Sequence, residues 1–194
     1  MNTNISESII KRQNPLIAHY HVQPVDAQIT DCAKTSGGSS HDPFRGVVLM
    51  GEKNLASEVP FGVHKAVGGY HDRANPGDML CGALAACLDA SLRIIAGRFN
   101  VSFEQLEVEV IGHADVRGTL MVDKSVGVGF KKLHCNINIQ PEKSVDKAVI
   151  HKIVKAAEHS CINLQTLLSG LAVETCLQLQ DSQAEPEPML ALSS

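Results

Sequence analysis

Six cysteines are the residues of this 194-residue sequence best suited to chemistry. A thiol can bind a metal, attack an electrophile as thiolate, or cycle through a disulfide. Cys87 lies among small and apolar residues in a predicted helix. Cys161 lies at the start of a second helical segment, where backbone donors and the helix dipole favour a thiolate. The two could meet in a folded core, or each could be an ordinary buried cysteine that packs as a small hydrophobe.

The other four cysteines are weaker candidates for a chemical role. Cys81 lies six residues before Cys87, which places it about 240° around the same helix, so no bond between these two is expected. Cys135 belongs to an alternating apolar strand and is predicted to pack in the core. Cys32 and Cys176 lie in no supporting motif.

Motifs for several other chemistries are absent from the sequence. Nine histidines are present, yet there is no C-x-x-C or H-x-x-x-H pair, so a structural zinc site is not expected. The nucleophilic serine motif G-x-S-x-G, the phosphate loop and the dinucleotide fingerprint are missing as well. We therefore expect no metal and no other cofactor.

Composition and charge restrict the possible partners. The formal charge is −4 without a basic stripe, which argues against nucleic acid and anionic membranes. The first residues lack the apolar core of an export signal, and Asp89 and Arg93 interrupt the apolar stretch Cys81–Ala96. These features predict a cytoplasmic protein without a membrane span, whose thiols are kept reduced.

The elements that would position the cysteines predict an α+β fold with antiparallel strands. Asn75-Pro76 is a strong helix start, and Gly97 is the expected end of that helix. The further predicted elements are an N-terminal arm over 1–14, an extended segment Leu16–Ile29, a Gly/Ser loop over 34–42, strands Phe44–Met50, Val59–Val67, Leu106–Val110, Phe130–Ile139 and Val173–Leu177, a helix opening over 141–144, and a short helix from Cys161 to Leu168. The expected division is 1–42 as arm and strand, 43–180 as the main domain, and 181–194 as a disordered tail.

Two sequence motifs resemble those of the OsmC/Ohr family of hydroperoxide reductases. The run Asn75 to Leu92, NPGDMLCGALAACLDASL, is similar to the family's helix, in which Asn-Pro opens the helix and a cysteine follows. The second motif is AAEHSCINLQ, with Cys161 where the family keeps its partner cysteine, 74 residues after Cys87. The resemblance extends roughly from Arg45 to Leu179.

The resemblance implies a two-cysteine peroxidase that reduces organic hydroperoxides with a thiol or dithiol reductant. Cys87 would be the peroxidatic cysteine and Cys161 the resolving one. Arg45, in the sequence DPFRG, would stabilise the thiolate, although it could also be a surface arginine at a strand start. The family fold implied is an intertwined homodimer with two central helices and antiparallel sheets outside.

Two positions depart from the family pattern. Gly77 stands where Ohr-type enzymes have a Glu that helps hold the arginine, and Asp78 follows one place later. Ile162 follows the second cysteine, where a Pro is often found. These departures favour an alternative, namely a non-catalytic OsmC-like dimer that senses redox state or binds a small ligand. A third interpretation assigns all six cysteines to packing.

Overall fold

The computed structural model describes residues 5–35, 41–52 and 54–177. Within these residues, helices and antiparallel strands alternate in an α+β arrangement, which confirms the predicted fold class. In chain order the elements are α1 (Ile5–Val22), β1 (Ala33–Thr35), β2 (Arg45–Met50), β3 (Ser57–Gly62), α2 (Pro76–Arg98), β4 (Phe103–Ala114), α3 (Val116–Thr119), β5 (Phe130–Pro141), α4 (Lys147–Ser160) and α5 (Ile162–Ser169), with 3-10 turns at Pro24–Ala27 and Lys65–Val67.

The strands of the described residues form two antiparallel sheets. β1, β2 and β3 make a three-stranded sheet in chain order, and β4 pairs with β5. In the second sheet Val108 lies opposite Ile137, while the next pair, Glu109 and Asn136, is joined by a side-chain hydrogen bond of 2.8 Å. This alternation gives one apolar face, on which α2 packs, and one polar face.

α2 begins where the sequence predicts, at a complete capping box. The Asn75 side chain accepts from the backbone N–H of Gly77 at 2.8 Å, and the Asp78 carboxylate accepts from the backbone N–H of Asn75 at 2.9 Å. Pro76 occupies the first helical position, where no intrahelical donor is needed. The helix runs to Arg98, one residue beyond the predicted end at Gly97.

The core is built between α2 and α4. Leu84, Leu88 and Leu92 recur every four residues on one stripe of α2 and are almost fully buried. They pack against a matching stripe of α4 that contains Ile153 and Ala157, and Cys161 is the next member of that stripe. Burial of these aliphatic side chains stabilises the helix pair and fixes their relative position.

Length and composition alone would let α2 cross a membrane, since it has 23 residues and a mean hydropathy of 1.7. Asp89 and Arg93 nevertheless lie within it, paired at 2.7 Å, and one of its stripes is buried against α4. A core helix has these features too.

The N-terminal region differs from the expectation. The extended segment predicted over Leu16–Ile29 is wrong for the residues up to Val22, because they belong to α1. This helix also contains Pro15. Pro15 lies on the exposed side. α1 packs against α2, where Arg98 donates a hydrogen bond of 2.8 Å to Gln13. This tertiary packing outweighs the loss of one helical hydrogen bond at proline.

Three other boundaries are corrected. The strand predicted over Val59–Val67 ends at Gly62, and His64 then caps the following 3-10 turn. α4 starts after Asp146, which accepts from the backbone N–H of Ala148, because β5 extends to Pro141 and residues 142–146 are not helical. The final strand predicted over Val173–Leu177 is wrong, since 171–177 have no regular secondary structure.

The predicted tail, 181–194, lies outside the described residues, and the division of the chain at 42 and 180 stays a prediction. The first two residues of the loop predicted over 34–42 belong to β1 instead. Residues 36–40 of that loop are also outside the described residues.

The core packing predicts a large difference between two leucines of α2. Leu92→Ala removes a fully buried side chain and should lower the free energy of unfolding by about 2–5 kcal/mol, because a cavity is left against α4. Leu80→Ala is the matched control, since Leu80 is 41% exposed and should cost much less. Urea unfolding followed by circular dichroism measures both, and equal losses would contradict this description of the core.

Candidate functional site

Cys87 and Cys161, the two cysteines singled out by the sequence, are brought together by the helices. Cys87 precedes the core residue Leu88 on α2. Cys161 is the single residue between α4 and α5, with an extended backbone, φ −76° and ψ 108°. The two side chains interact through a hydrogen bond, and both are free thiols. The structure therefore contains an adjacent dithiol between α2 and the α4–α5 junction.

The surroundings of Cys161 raise the pKa of its thiol. Burial raises the pKa of Cys161, and its hydrogen bond with Cys87 raises it further, while the backbone N–H groups of Leu164 and Asn163 partly oppose the shift. A hydrogen bond that raises the pKa of an acid stabilises its protonated form. The protonated thiol of Cys161 is therefore favoured next to Cys87.

Cys87 is also the more accessible of the two sulfurs. Cys161 has no exposed surface, whereas Cys87 is only partly buried. Its neighbours on the outer side of α2, Ala83, Ala86 and Ala90, are exposed and have only methyl side chains. In this chain Cys87 therefore has an open side, whereas Cys161 has no exposed surface.

An apolar cavity of about 470 Å³ opens next to the dithiol. Leu84 precedes Cys87 by three residues and Leu164 follows Cys161 by three, so the cavity is about one helical turn from either sulfur. We call it the leucine cavity. Its other lining residues are Leu80, Phe130, Lys131, Lys132, Leu133, Cys135, Leu167 and Leu168.

Arg45 lies in an acidic and aromatic cluster at the start of β2. Its Nε and Nη2 donate to Asp72 Oδ2 at 3.0 and 2.8 Å, and Nη1 donates to Asp42 at 3.4 Å. The guanidinium also lies over the Tyr70 ring, 4.4 Å from its centroid. The hydrogen bond with Asp72 raises the pKa of Arg45 and lowers the pKa of Asp72. The contacts described for Arg45 are thus with this cluster rather than with Cys87.

Asp72 is a site residue that the sequence analysis missed. It belongs to the polar turn after β3, 27 residues from Arg45, and no periodicity relates two such positions. The only available signal was that several polar residues stand together there, which is typical of any turn.

A side chain at Gly77, the place of the family's glutamate, would press on two neighbouring side chains. A Cβ atom on Gly77 would lie 2.9 Å from Asn75 Oδ1 and 3.1 Å from the ring of Phe130. Asp78 is bonded to Asn75 in the capping box. Asp72, from a different element, is instead the nearest carboxylate partner of Arg45.

Among the described residues, no group of three or more His, Cys, Asp or Glu side chains is arranged to hold a metal ion. The dithiol itself supports the chemistry of two free thiols, one more accessible and one buried.

The comparisons with known proteins agree with this description. Residues 69–175 match the family model described as OsmC-like protein, so this chain belongs to the OsmC-like family. The match includes both cysteines and the whole of α2, but not Arg45. No curated protein matches the sequence.

Several solved structures share the fold. An OsmC-like protein from Mycoplasma pneumoniae aligns with a TM-score of 0.58 at 13% identity, over 74% of this chain and 90% of that one. An organic hydroperoxide resistance protein from Elizabethkingia anophelis aligns with a TM-score of 0.54 at 20% identity, over 72% and 89%. At such identities the likeness establishes the OsmC-like fold alone.

The Arg45–Asp72 pair predicts a measurable carboxyl titration. The pKa of Asp72 is below its usual value because Arg45 stabilises the carboxylate, so Arg45→Gln should raise it toward the ordinary Asp value. A depressed pKa means that the stabilisation by this pair is present at neutral pH and is lost as the pH falls through the pKa of folded Asp72. Carbon-detected NMR titration measures the shift.

Asp115 provides the internal control for this titration. Its pKa is lowered by Arg117 and Lys131, which are separate from Arg45, and should not change in the variant. An unchanged Asp72 titration in Arg45→Gln would contradict the pairing.

Proposed function

We propose that this protein is a thiol-dependent peroxidase that reduces organic hydroperoxides through Cys87 and Cys161. The observation that carries the proposal is the adjacent pair of free thiols, in which Cys161 is fully buried and Cys87 is the more accessible. Membership of the OsmC-like family supports it, as do structural neighbours named as organic hydroperoxide resistance proteins.

In the first step, the Cys87 thiolate attacks the terminal oxygen of a hydroperoxide. An S–O bond forms and the O–O bond breaks, so Cys87 becomes a sulfenic acid, and the alkoxide that leaves takes a proton from water to become the alcohol. The leucine cavity beside the dithiol can take the apolar part of such a molecule, since its walls are mostly leucine side chains.

In the second step, Cys161 resolves the sulfenic acid. Its sulfur displaces the hydroxyl group from Cys87, a disulfide forms, and the Cys161 proton and the hydroxyl leave together as water. An external thiol or dithiol returns both cysteines to thiols. This cycle needs a reducing compartment, and we propose the cytoplasm.

We further propose that the working unit is a homodimer. The outer side of α2 presents Ala83, Ala86 and Ala90 to solvent, and these small residues allow another helix to approach closely. Ile94, on the same helix, is 38% exposed. A second copy would cover this apolar face.

A dimer would also explain where Arg45 acts. In the described residues, the sheet β1–β3 has its main contact with the rest of the chain through the 3-10 turn Lys65–Val67, which meets α3. The sheet that carries Arg45 is thus free to pack on α2 of a second copy. We propose that Arg45 stabilises the Cys87 thiolate across this interface.

The cysteine assignment predicts distinct losses. Cys87→Ser should reduce hydroperoxide consumption with a dithiol reductant to the buffer background, because a hydroxyl cannot replace the thiolate. Cys161→Ser should still oxidise at Cys87 but should accumulate sulfinic or sulfonic acid or a mixed disulfide, detected by mass spectrometry. Cys81→Ser is the matched control on the same helix and should retain turnover.

Wild-type protein that stays folded and shows no Cys87 oxidation under stoichiometric hydroperoxide would contradict the peroxidase proposal. The non-catalytic sensor or ligand-binding dimer is then favoured. The observation that supports this second function is that two carboxylates, Asp72 and Asp42, already neutralise Arg45. Reversible disulfide formation without turnover would identify it.

Mixed dimers test the action of Arg45 across the interface. Each single variant, Arg45→Ala or Cys87→Ser, should have low activity, but a co-expressed heterodimer contains one site with an intact Arg45 and an intact Cys87. Such a heterodimer, isolated with two affinity tags, should recover about half the wild-type turnover per dimer.

If Arg45 instead acts on Cys87 of its own chain, neither site of the heterodimer is complete and activity stays low. The heterodimer made from Cys87→Ser and Cys161→Ser is the control, because both of those residues belong to the dithiol of one chain.

A further inference from the structure

A second cavity, of about 770 Å³, lies at the N-terminal end of α2 and is separate from the dithiol. The first turns of α2, the end of β4 and the 3-10 turn after β3 form its walls. Ala85 is its last wall residue on α2, and Cys87 lies two residues on, about 200° around the helix. Cys81 is the cysteine that lines this cavity, so we call it the Cys81 cavity.

An aromatic ring held by two glycines forms one wall. Phe130 lies so close to Gly112 that a Cβ there would overlap its ring, and a Cβ on Gly77 would lie 3.1 Å from it. Both glycines line the cavity, and the ring remains 37% exposed. Strand residues Val110 and Ile111 continue the apolar wall. On the opposite side Gly82 leaves open space, because a Cβ atom added there would have no neighbouring atom within 4 Å.

One carboxylate, that of Asp78, lines the Cys81 cavity. Asp78 is the charged residue among the lining residues, and its bond from the backbone of Asn75 holds it in place. The pKa of Cys81 is raised by burial and also by the negative charge of Asp78, which places that charge near the thiol. The carboxylate offsets the positive end of the helix dipole. An anionic ligand is therefore disfavoured.

We propose that the Cys81 cavity binds a neutral aromatic or aliphatic molecule that carries one hydrogen-bond donor for Asp78. Its volume lies within the range of small-molecule pockets, and it combines an apolar, partly aromatic wall with few polar groups. The bound molecule covers the Cys81 thiol. This site shares neither sulfur of the dithiol, and Phe130 is the residue that it has in common with the leucine cavity.

Two fluorescent probes with the same ring skeleton test the proposal on the full-length protein. N-phenyl-1-naphthylamine is neutral and carries an N–H donor, and 1-anilinonaphthalene-8-sulfonate adds one negative charge. The neutral probe should bind at least about tenfold more tightly, because the sulfonate is repelled by Asp78. Equal affinity, or tighter binding of the sulfonate, would overturn the proposal.

Alkylation of two cysteines then locates the bound probe. Cys81 lines this cavity and Cys135 lines the leucine cavity, and both are partly buried. The neutral probe should slow the reaction of Cys81 with iodoacetamide and leave Cys135 unchanged, as measured by peptide mass spectrometry. Protection of Cys135 without Cys81 would place the probe in the leucine cavity and refute the assignment.

A pair of substitutions at one position gives the matched variants. Gly82→Leu extends a side chain into the open side of the cavity and should weaken the neutral probe by about tenfold or more. Gly82→Ala adds one methyl group where no atom lies nearby and should bind within about twofold of wild type. Unchanged binding by a folded Gly82→Leu would count against the site, and the alkylation result on wild type decides independently of either variant.

Discussion

The close packing of α2 on α4 is the constraint on which the remaining features depend. Leu84, Leu88 and Leu92 meet the stripe of α4 that ends at Cys161, and this contact sets both the distance and the rotation of the two helices. Cys87, the residue before Leu88, is then brought beside Cys161 without any contact dedicated to that purpose. A dithiol separated by 74 residues in the chain is thus a consequence of core packing, and its geometry is as stable as the core itself.

The end of α4 explains why the two thiols differ. Cys161 terminates one helix and begins the next, so its sulfur is buried under the core while the first backbone N–H groups of α5 point toward it. Burial is the largest cause of the raised pKa of Cys161, and it favours the protonated thiol. Cys87, in mid-helix beside alanines, has an open side. The difference in their chemical roles follows from their places in the helices rather than from any difference between the residues.

The sequence predicts those parts of the structure that depend on local interactions. Asn75, Pro76 and Asp78 form a cap within four residues, and the alternation in β4 and β5 is a local pattern, so both were predicted correctly. α1 was missed because its stability comes from α2, through contacts such as Gln13 with Arg98, and because Pro15 is unfavourable locally. The bond between Arg45 and Asp72 was missed for the same reason, since it joins a strand to a turn with no sequence period between them. The sequence indicated that Cys87 and Cys161 could meet in the core, but their roles as a pair were implied only by the family resemblance.

The carboxylates that pair with Arg45 come from outside α2, and this difference from the family pattern also affects the Cys81 cavity. Where the family's glutamate would stand, Gly77 accommodates Phe130, and the adjacent Asp78 is bonded into the helix cap. Arg45 takes its carboxylates from Asp72 and Asp42, and its aromatic contact from Tyr70, all outside α2. The guanidinium is therefore oriented by residues near its own sheet, independently of the helix that carries the thiol. The first turn of α2 thus carries no carboxylate partner of Arg45, and Gly77 leaves room for the ring of Phe130, the aromatic wall of the Cys81 cavity.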